Sequence, residues 1–258
     1  FIIMPSNNNQ KTSHLTTCWN ILKSEKKFWM FPIISAISLI ILIFLPFTSM
    51  LLSSTSSGDT ISNTASNQYS INYGFLFIYY LLVYTSVFYF NAAFIITIND
   101  KLENKPTSIL SSLNRAAGKF HHLLGWAVIS ATVSTIIHAL EDRKIIGFIL
   151  ALIISVSFSL LCFFVMPILA LENIGPIAAM KKSKNIFTKT WGSNLKARFG
   201  FGLSAFAYGL VGPIFLYLGI KYDVSFLIAI GAIITIATSI VFGMLKTIFV
   251  TVLYRHAS

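Results

Sequence analysis

The sequence predicts an all-α fold, a polytopic membrane helix bundle with six transmembrane helices. Apolar residues make up 55% of the 258 residues and charged residues only 10%, whereas a soluble domain carries about 25% charged residues. Several apolar runs reach the ~20 residues that a helix needs to cross a bilayer. Lys and Arg also concentrate in alternate loops, which is typical of a membrane protein with one cytoplasmic face.

The first predicted span covers about residues 28–52, with Pro32 in its first turn, where proline is tolerated. The fourth and fifth spans contain Pro167 and Pro213, which are candidate helix kinks because an interior proline removes a backbone hydrogen bond. The remaining predicted spans are about 73–98, 121–140, 145–171, 199–220 and 224–247.

These spans divide the chain into three segments. Residues 1–27 form a predicted cytoplasmic N-terminal segment, partly amphipathic, residues 28–252 a single membrane domain, and residues 253–258 a cytoplasmic tail. The first long apolar run exceeds the roughly 7–15 residues of a signal-peptide core, so no cleavable signal is expected. The sequence leaves open whether Met4 is the true start.

The distribution of positive charge predicts that both termini lie in the cytoplasm. Of the 19 Lys and Arg residues, 16 fall on the side that receives the N-terminus, the second and fourth loops and the C-terminal end. Positive residues in short loops set orientation, so we expect an N-in, C-in topology. The membrane then accounts for the net charge of +11, and the expected partner is an anionic lipid headgroup rather than nucleic acid.

The second and fourth loops each predict an amphipathic interfacial helix on the cytoplasmic surface, at about 106–120 and 175–191. Apolar and small residues line one face of the later helix, and lysines line much of the other. Such basic amphipathic helices are typical of membrane-surface contact. The candidate contacts with lipid or with a protein partner are Lys181, Lys182, Lys184, Lys189, Arg115 and Lys119.

Two interpretations of these helices remain open. They are either structural belts or a docking platform for a partner or a lipid substrate. Ala179 and Ser183 lie on the apolar stripe of the later helix. Residues this small also favour close packing against the bundle, as an alternative to lipid contact.

Few polar side chains fall inside the predicted spans, and these are the candidate intramembrane polar residues. Asn91 is the deepest amide and is expected to bridge helices. His138 and Glu141 are three residues apart near the outer end of the third span, so the two side chains can meet on a helix. This pair is either a proton relay or an interfacial histidine beside a carboxylate.

The sequence contains no arrangement typical of an enzyme. The predicted spans hold no paired carboxylates, and no HExxH, GxSxG or Walker motif occurs in a suitable context. Cys18 and Cys162 belong to no CxxC or Cys/His cluster. We therefore assign no catalytic residue, cofactor or metal ligand, and we expect the chain not to be an enzyme.

Several short motifs resemble an uncharacterised family of prokaryotic polytopic integral membrane proteins, known only as a domain of unknown function. The longest similar stretch carries Phe163-Phe164-Val165-Met166-Pro167, Glu172, Gly175-Pro176, Ala179, Ser183 and Trp191-Gly192. Others are Trp19-Asn20-Ile21-Leu22-Lys23, Phe31-Pro32, Phe90-Asn91-Ala92-Ala93 and Gly125-Trp126. The resemblance implies a multi-pass protein of a bacterial or archaeal cytoplasmic membrane, and it supplies no substrate.

Three functions are consistent with these observations. The leading hypothesis is a non-enzymatic membrane-organising or interaction component that works through its basic cytoplasmic helices. The alternative is a small transporter or channel with a site between spans three to six, since two spans contain proline and the segments flanking the two loops form a weak internal repeat. The third is a lipid-modifying enzyme, which would need His138 and Glu141 to meet a further polar residue in one pocket.

Overall fold

The computed structural model describes residues 18–23, 25–55, 73–141, 144–191 and 209–257, and all regular structure in these ranges is helical. A 3₁₀ turn, Lys26–Trp29, leads into the first long helix. The helices are α1 (Met30–Thr55), α2 (Tyr73–Leu102), α3 (Ile109–Ala117), α4 (Phe120–Glu141), α5 (Lys144–Leu161), α6 (Val165–Leu171), α7 (Pro176–Trp191), α8 (Val211–Lys221) and α9 (Ser225–Ala257). The predicted all-α class is confirmed.

Four helical segments are long and apolar enough to cross a membrane, which is the architecture of a multi-pass membrane protein. They are Gly74–Leu102, Phe120–Glu141, Ile146–Leu171 and Ser225–Arg255. They correspond to the second, third, fourth and sixth predicted spans. Two further apolar helical stretches are shorter: Lys27–Leu42, from the 3₁₀ turn into the first part of α1, and Val211–Lys221, which is α8. Of the predicted fifth span, 199–220, residues 199–208 lie outside the described residues, and the rest includes most of α8.

Several helix ends differ from the predicted ones. The α9 helix continues through Ala257, so residues 253–257, which the sequence assigns to a tail, are helical. The first predicted surface helix is shorter than expected, since α3 covers only Ile109–Ala117. The second matches its prediction closely, because Gly175-Pro176 starts α7 where proline's missing N–H costs no helical hydrogen bond. Residues 1–17 of the predicted N-terminal segment lie outside the described residues.

The fourth predicted span consists of two helices, because α5 ends at Leu161 and α6 begins at Val165. Pro167 explains the break, since it has no N–H to donate to the Phe163 carbonyl and its ring crowds that group. The chain tightens there, and the Val165 N–H donates to the Cys162 carbonyl at 3.1 Å. Before Pro213, a turn at Leu210 likewise precedes α8.

The core of the bundle lies at the end where α2, α4, α6, α7 and α9 meet. Every residue from Ala92 to Ile98 on α2 is buried. Leu123 of α4, Ile168 of α6 and Ile248 of α9 are fully buried in the same cluster. In a bilayer, such contacts stabilise the bundle by close van der Waals packing.

Helix α7 is fixed to this core by small residues. Ala179 and Ser183 are fully buried one turn apart, and Ile186 is buried one turn further on. The Ser183 hydroxyl donates to the Leu161 carbonyl at 2.7 Å and accepts from the Phe164 N–H at 3.1 Å. Ser183 therefore satisfies backbone groups on both sides of the break between α5 and α6.

Glycines let α8 and α9 approach closely as an antiparallel pair. A Cβ on Gly231 would lie 2.6 Å from the backbone nitrogen of Leu216, and one on Gly219 would lie 2.7 Å from that of Ile228. Such distances are too short for a larger residue, and small residues at helix interfaces are the usual means of close packing in membranes. The pair therefore packs backbone against backbone.

Candidate functional site

A cavity of about 620 Å³ lies between α2, α4, the α5–α6 segment and α9. This volume falls within the roughly 300–1,000 Å³ of small-molecule sites. On α2 the lining runs from Tyr84 to Ile95, about 16 Å along the axis at 1.5 Å per residue. All the lining helices belong to the four segments long and apolar enough to cross a membrane. Its polar lining residues are Tyr84, Asn91, Ser130, Ser134, Ser155, Ser159, Lys246 and Thr247.

One wall of the cavity is aromatic. The Trp126 and Phe158 rings stack, with centroids 5.6 Å apart and an interplanar angle of 15°. The Phe88 ring is tilted by 33° to that of Trp126, with their centroids 6.3 Å apart. This row connects α2, α4 and α5 and gives the cavity a flat apolar surface.

Two serine hydroxyls of α4 line the cavity, and they differ in their hydrogen bonding. Ser134 shares a hydrogen bond with the Tyr84 hydroxyl at 2.7 Å. Ser130, one turn earlier, is only 4% exposed. Within the described ranges, no hydrogen bond involves the Ser130 hydroxyl. A buried hydroxyl without a partner costs about 1–3 kcal/mol, so this group is ready to bind a polar atom in the cavity.

Asn91 and Thr247 meet at the contact between α2 and α9. The Thr247 hydroxyl lies 3.5 Å from the Asn91 side-chain oxygen and 3.0 Å from the Gly243 carbonyl, which is the better acceptor. The two residues also line a second cavity of about 230 Å³ between α1, α2 and α9. The Asn91 amide therefore lies between two cavities with hydrogen-bonding capacity left over.

Lys246 brings a positive charge to the cavity lining. It is eight residues before Tyr254 on α9, about 12 Å along the axis from the polar end of the bundle. Its ammonium group forms no ion pair with any residue that the structure describes. A lysine at this depth is costly unless a counter-charge or water accompanies it.

The break between α5 and α6 shapes the remaining wall. Phe163, Met166 and Pro167 line the cavity immediately around the break. The two hydrogen bonds of Ser183 hold this irregular backbone. Irregular backbone at membrane depth is tolerated where it is buried in protein or lines a cavity.

Two of the predicted lipid-contact cations are bonded within the protein. Arg115 donates to both carboxylate oxygens of Asp100 at 2.8 Å, and Asp100 is only 5% exposed. Lys119 donates to the carbonyls of Ala170 at 2.9 Å and Glu172 at 3.1 Å, beyond the end of α6. Burial, and then the nearby Arg115 charge, hold the pKa of Lys119 below its ordinary value.

Glu172 organises a third internal contact. Its Oε1 accepts from the Lys182 ammonium at 2.5 Å and from the Tyr254 hydroxyl. Burial raises the pKa of Glu172, but the hydrogen bonds from Lys182 and Tyr254 outweigh it and leave the pKa below its ordinary value. This contact ties α9 and α7 to the end of α6.

The other predicted site residues are placed as follows. Lys181 and Lys184 are exposed on α7, and the Lys189 side chain lies outside the part that the structure describes. His138 Nδ1 lies 3.8 Å from Glu141 Oε2 at the end of α4, and neither residue lines either cavity. The prediction that the exposed lysines contact lipid or a partner stays a prediction.

The sequence analysis did not predict the cavity. Ser155, Ser159, Ser130 and Ser134 resemble ordinary helix-packing residues in sequence. Their spacing is the missed signal, since each pair is four residues apart and so lies on one helix face. In the described ranges, no group of three His, Cys, Asp or Glu residues could hold a metal ion.

Residues 70–257 match the family described as "Family of unknown function (DUF6159)". The chain belongs to this family. The match covers all helices from α2 to α9 and both cavities' lining residues apart from those of α1, so the DUF6159 region contains the whole larger cavity. The predicted membership of an uncharacterised family is confirmed. No curated protein and no solved structure matches the DUF6159 chain.

Proposed function

We propose that this DUF6159 protein binds a small molecule within the membrane, in the cavity between α2, α4, α5–α6 and α9. It acts as a small transporter or a membrane-embedded binding protein rather than as an enzyme. The observation that carries the proposal is a cavity of about 620 Å³ between helices able to span a membrane. Its lining includes the buried hydroxyl of Ser130 and the ammonium of Lys246, neither of which has a partner among the residues that the structure describes. Polar groups at this depth are functional candidates, because their cost must be offset by a ligand or by water.

This proposal favours the sequence-based alternative, a small transporter, over an interaction role of the surface helices. The cavity lies between the second, third, fourth and sixth predicted spans, whereas the sequence placed the site between spans three to six. The bonds of Arg115 and Lys119 to Asp100 and to the α6 carbonyls already account for two of the six candidate surface cations. Lys182 is engaged by Glu172. Cations held this way contribute to the fold, and their charge is less available to a lipid surface or a partner.

The proposed topology has six spans with both termini inside a prokaryotic cytoplasmic membrane. Contacts between distant segments support it. Lys101, at the end of α2, pairs with Glu25, just before the 3₁₀ turn that leads into α1, at 2.7 Å. Arg255, near the end of α9, pairs with Glu103 at 3.1 Å. The chain before α1, the end of α2 and the end of α9 therefore meet at one end of the bundle, which fits the side enriched in Lys and Arg.

The topology predicts which residues a membrane-impermeant maleimide reaches. In a Cys18→Ala, Cys162→Ala background, Tyr222→Cys lies in the exposed α8–α9 turn and Ser111→Cys on the exposed face of α3. We expect labelling of Tyr222→Cys in intact cells and of Ser111→Cys only after lysis. Labelling of both positions from the same side would contradict the six-span arrangement.

Filling the cavity is expected to remove ligand binding. Ser159→Phe places a ring in the cavity, whereas Ser157→Phe adds the same ring at an exposed position of α5 outside the lining. We expect the affinity of the Ser159 variant for the small molecule to fall at least about tenfold, equivalent to ~1.4 kcal/mol of binding free energy. Native mass spectrometry of the purified full chain would measure the retained ligand.

The Ser157 variant is the matched control, since it adds the same apolar bulk to the same helix. Ligand retention equal to wild type is expected for it. Identical mass spectra for wild type and both variants, with both variants folded, would rule out the cavity as the binding site.

A further inference from the structure

We propose that the ligand of this cavity is an amphiphile with an anionic headgroup, and that Lys246 binds the headgroup. The inference rests on the proposed function and adds the chemical class of the ligand. It depends on three observations about the described lining of one cavity: one charged group, polar groups with hydrogen-bonding capacity left over, and an apolar aromatic wall.

Charge complementarity selects an anion. Lys246 is the charged residue among the described lining of the larger cavity. No carboxylate of the described residues pairs with its ammonium group, whereas Lys101, Arg115, Lys182 and Arg255 all have acidic partners. An anionic headgroup would supply the counter-charge that the described residues do not.

Two further groups can hold the oxygens of such a headgroup. The Ser130 hydroxyl is 4% exposed and has no hydrogen-bond partner in the described ranges. The Asn91 amide lines the same cavity, and its nearest polar contact is the long 3.5 Å approach of Thr247. A hydroxyl and an amide can both donate to oxygen acceptors. Lys246 directly precedes Thr247, whose hydroxyl approaches Asn91, and all three residues line the same cavity.

The aromatic wall suits the apolar part of an amphiphile. Phe88, Trp126 and Phe158 form a continuous row along the cavity. The lining extends about 16 Å along α2, which is long enough for a chain to lie parallel to the helices. A small soluble anion would leave this wall unoccupied, so the geometry favours an amphiphile over a free anion.

The test measures quenching of tryptophan fluorescence by 9,10-dibromostearate and by its neutral analogue, 9,10-dibromostearyl alcohol. The full chain in a neutral detergent is titrated with each probe, and a Trp126→Phe variant identifies the signal of the cavity tryptophan. We expect the anionic probe to bind at least about tenfold more tightly than the alcohol, since a hydrogen bond to a charged group is typically worth that much. Lys246→Gln should abolish this preference, and Lys246→Arg should keep it.

Lys221→Gln is the matched control, because Lys221 is an exposed lysine outside both cavities. Its preference for the anionic probe should equal that of wild type. An unchanged preference in Lys246→Gln would overturn the assignment of Lys246. Competition by millimolar inorganic phosphate would overturn the amphiphile in favour of a free anion.

The same titrations separate this inference from the proposed function. Equal binding of both probes, lost in Ser159→Phe, would reject the anionic headgroup and keep the cavity as a binding site. Absence of Trp126 quenching by either probe in wild type would reject both proposals.

Discussion

Replacing Arg115 with alanine is expected to destabilise the protein by about 2–3 kcal/mol. The change leaves the carboxylate of Asp100, which is 5% exposed, without its bidentate partner. Breaking a fully buried ion pair costs about 3–5 kcal/mol. The expected loss is smaller here because the Arg115 side chain is 48% exposed and water screens part of the interaction. Denaturation of the full chain in detergent, monitored by circular dichroism, measures the loss in the free energy of unfolding.

Two further variants make this prediction specific. Asp100→Asn in the Arg115→Ala background should recover part of the lost stability, since it removes the unpaired buried charge. Lys105→Ala is the control, because Lys105 pairs with Glu103 at an exposed site with 62% of its side chain accessible, and its loss should stay within about 0.5 kcal/mol. Additive losses in the Asp100–Arg115 double variant would show that the pair is not the source of the effect.

Ser183→Ala is expected to cost about 1–3 kcal/mol and to loosen the break between α5 and α6. The Phe164 N–H is buried at the break and loses its hydrogen-bond acceptor, and the Leu161 carbonyl loses its donor. A buried backbone group left without a partner costs its full desolvation penalty. Hydrogen exchange of residues 161–168 should therefore accelerate in this variant, in addition to the loss in unfolding free energy.

Ser112→Ala provides a matched buried serine. Ser112 is also fully buried, but it accepts from the Thr97 hydroxyl, which has the Ala93 carbonyl as an alternative acceptor at 2.9 Å. Its replacement should cost under about 1 kcal/mol and leave exchange at 161–168 unchanged. Equal effects of the two substitutions would mean that burial of a serine, rather than the bridge across the break, is what matters.

The sequence predicts helices well where polar residues bound an apolar run. The third span was predicted at 121–140 and the helix is Phe120–Glu141, because charged residues follow it directly. The end of α9 was predicted ten residues too early. Thr251 and Tyr254 are polar in sequence, yet both are buried against the protein, so hydropathy alone ends the helix too soon.

The same error hid the candidate site. With the sixth span ending at 247, Lys246 is next to its last residue and can extend its ammonium group to the membrane surface. With α9 extending through Ala257, Lys246 lies about two turns before Tyr254, where its side chain is exposed and lines the open cavity. The sequence could not predict the hydrogen bonds of Ser183 either, because its partner Phe164 is 19 residues away and the contact forms only when α7 folds back. Sequence spacing reports neighbours on one helix and not contacts between helices.

Ser183 also links the position of α7 to the wall of the larger cavity. Its hydroxyl donates a hydrogen bond of 2.7 Å to the last turn of α5 and accepts one of 3.1 Å from the residue before α6. A shift of α7 would therefore either break these hydrogen bonds or move the adjoining ends of α5 and α6. Met166 and Pro167 line the larger cavity beside those ends, so the bonds of Ser183 connect a helix at the surface of the bundle to the cavity wall.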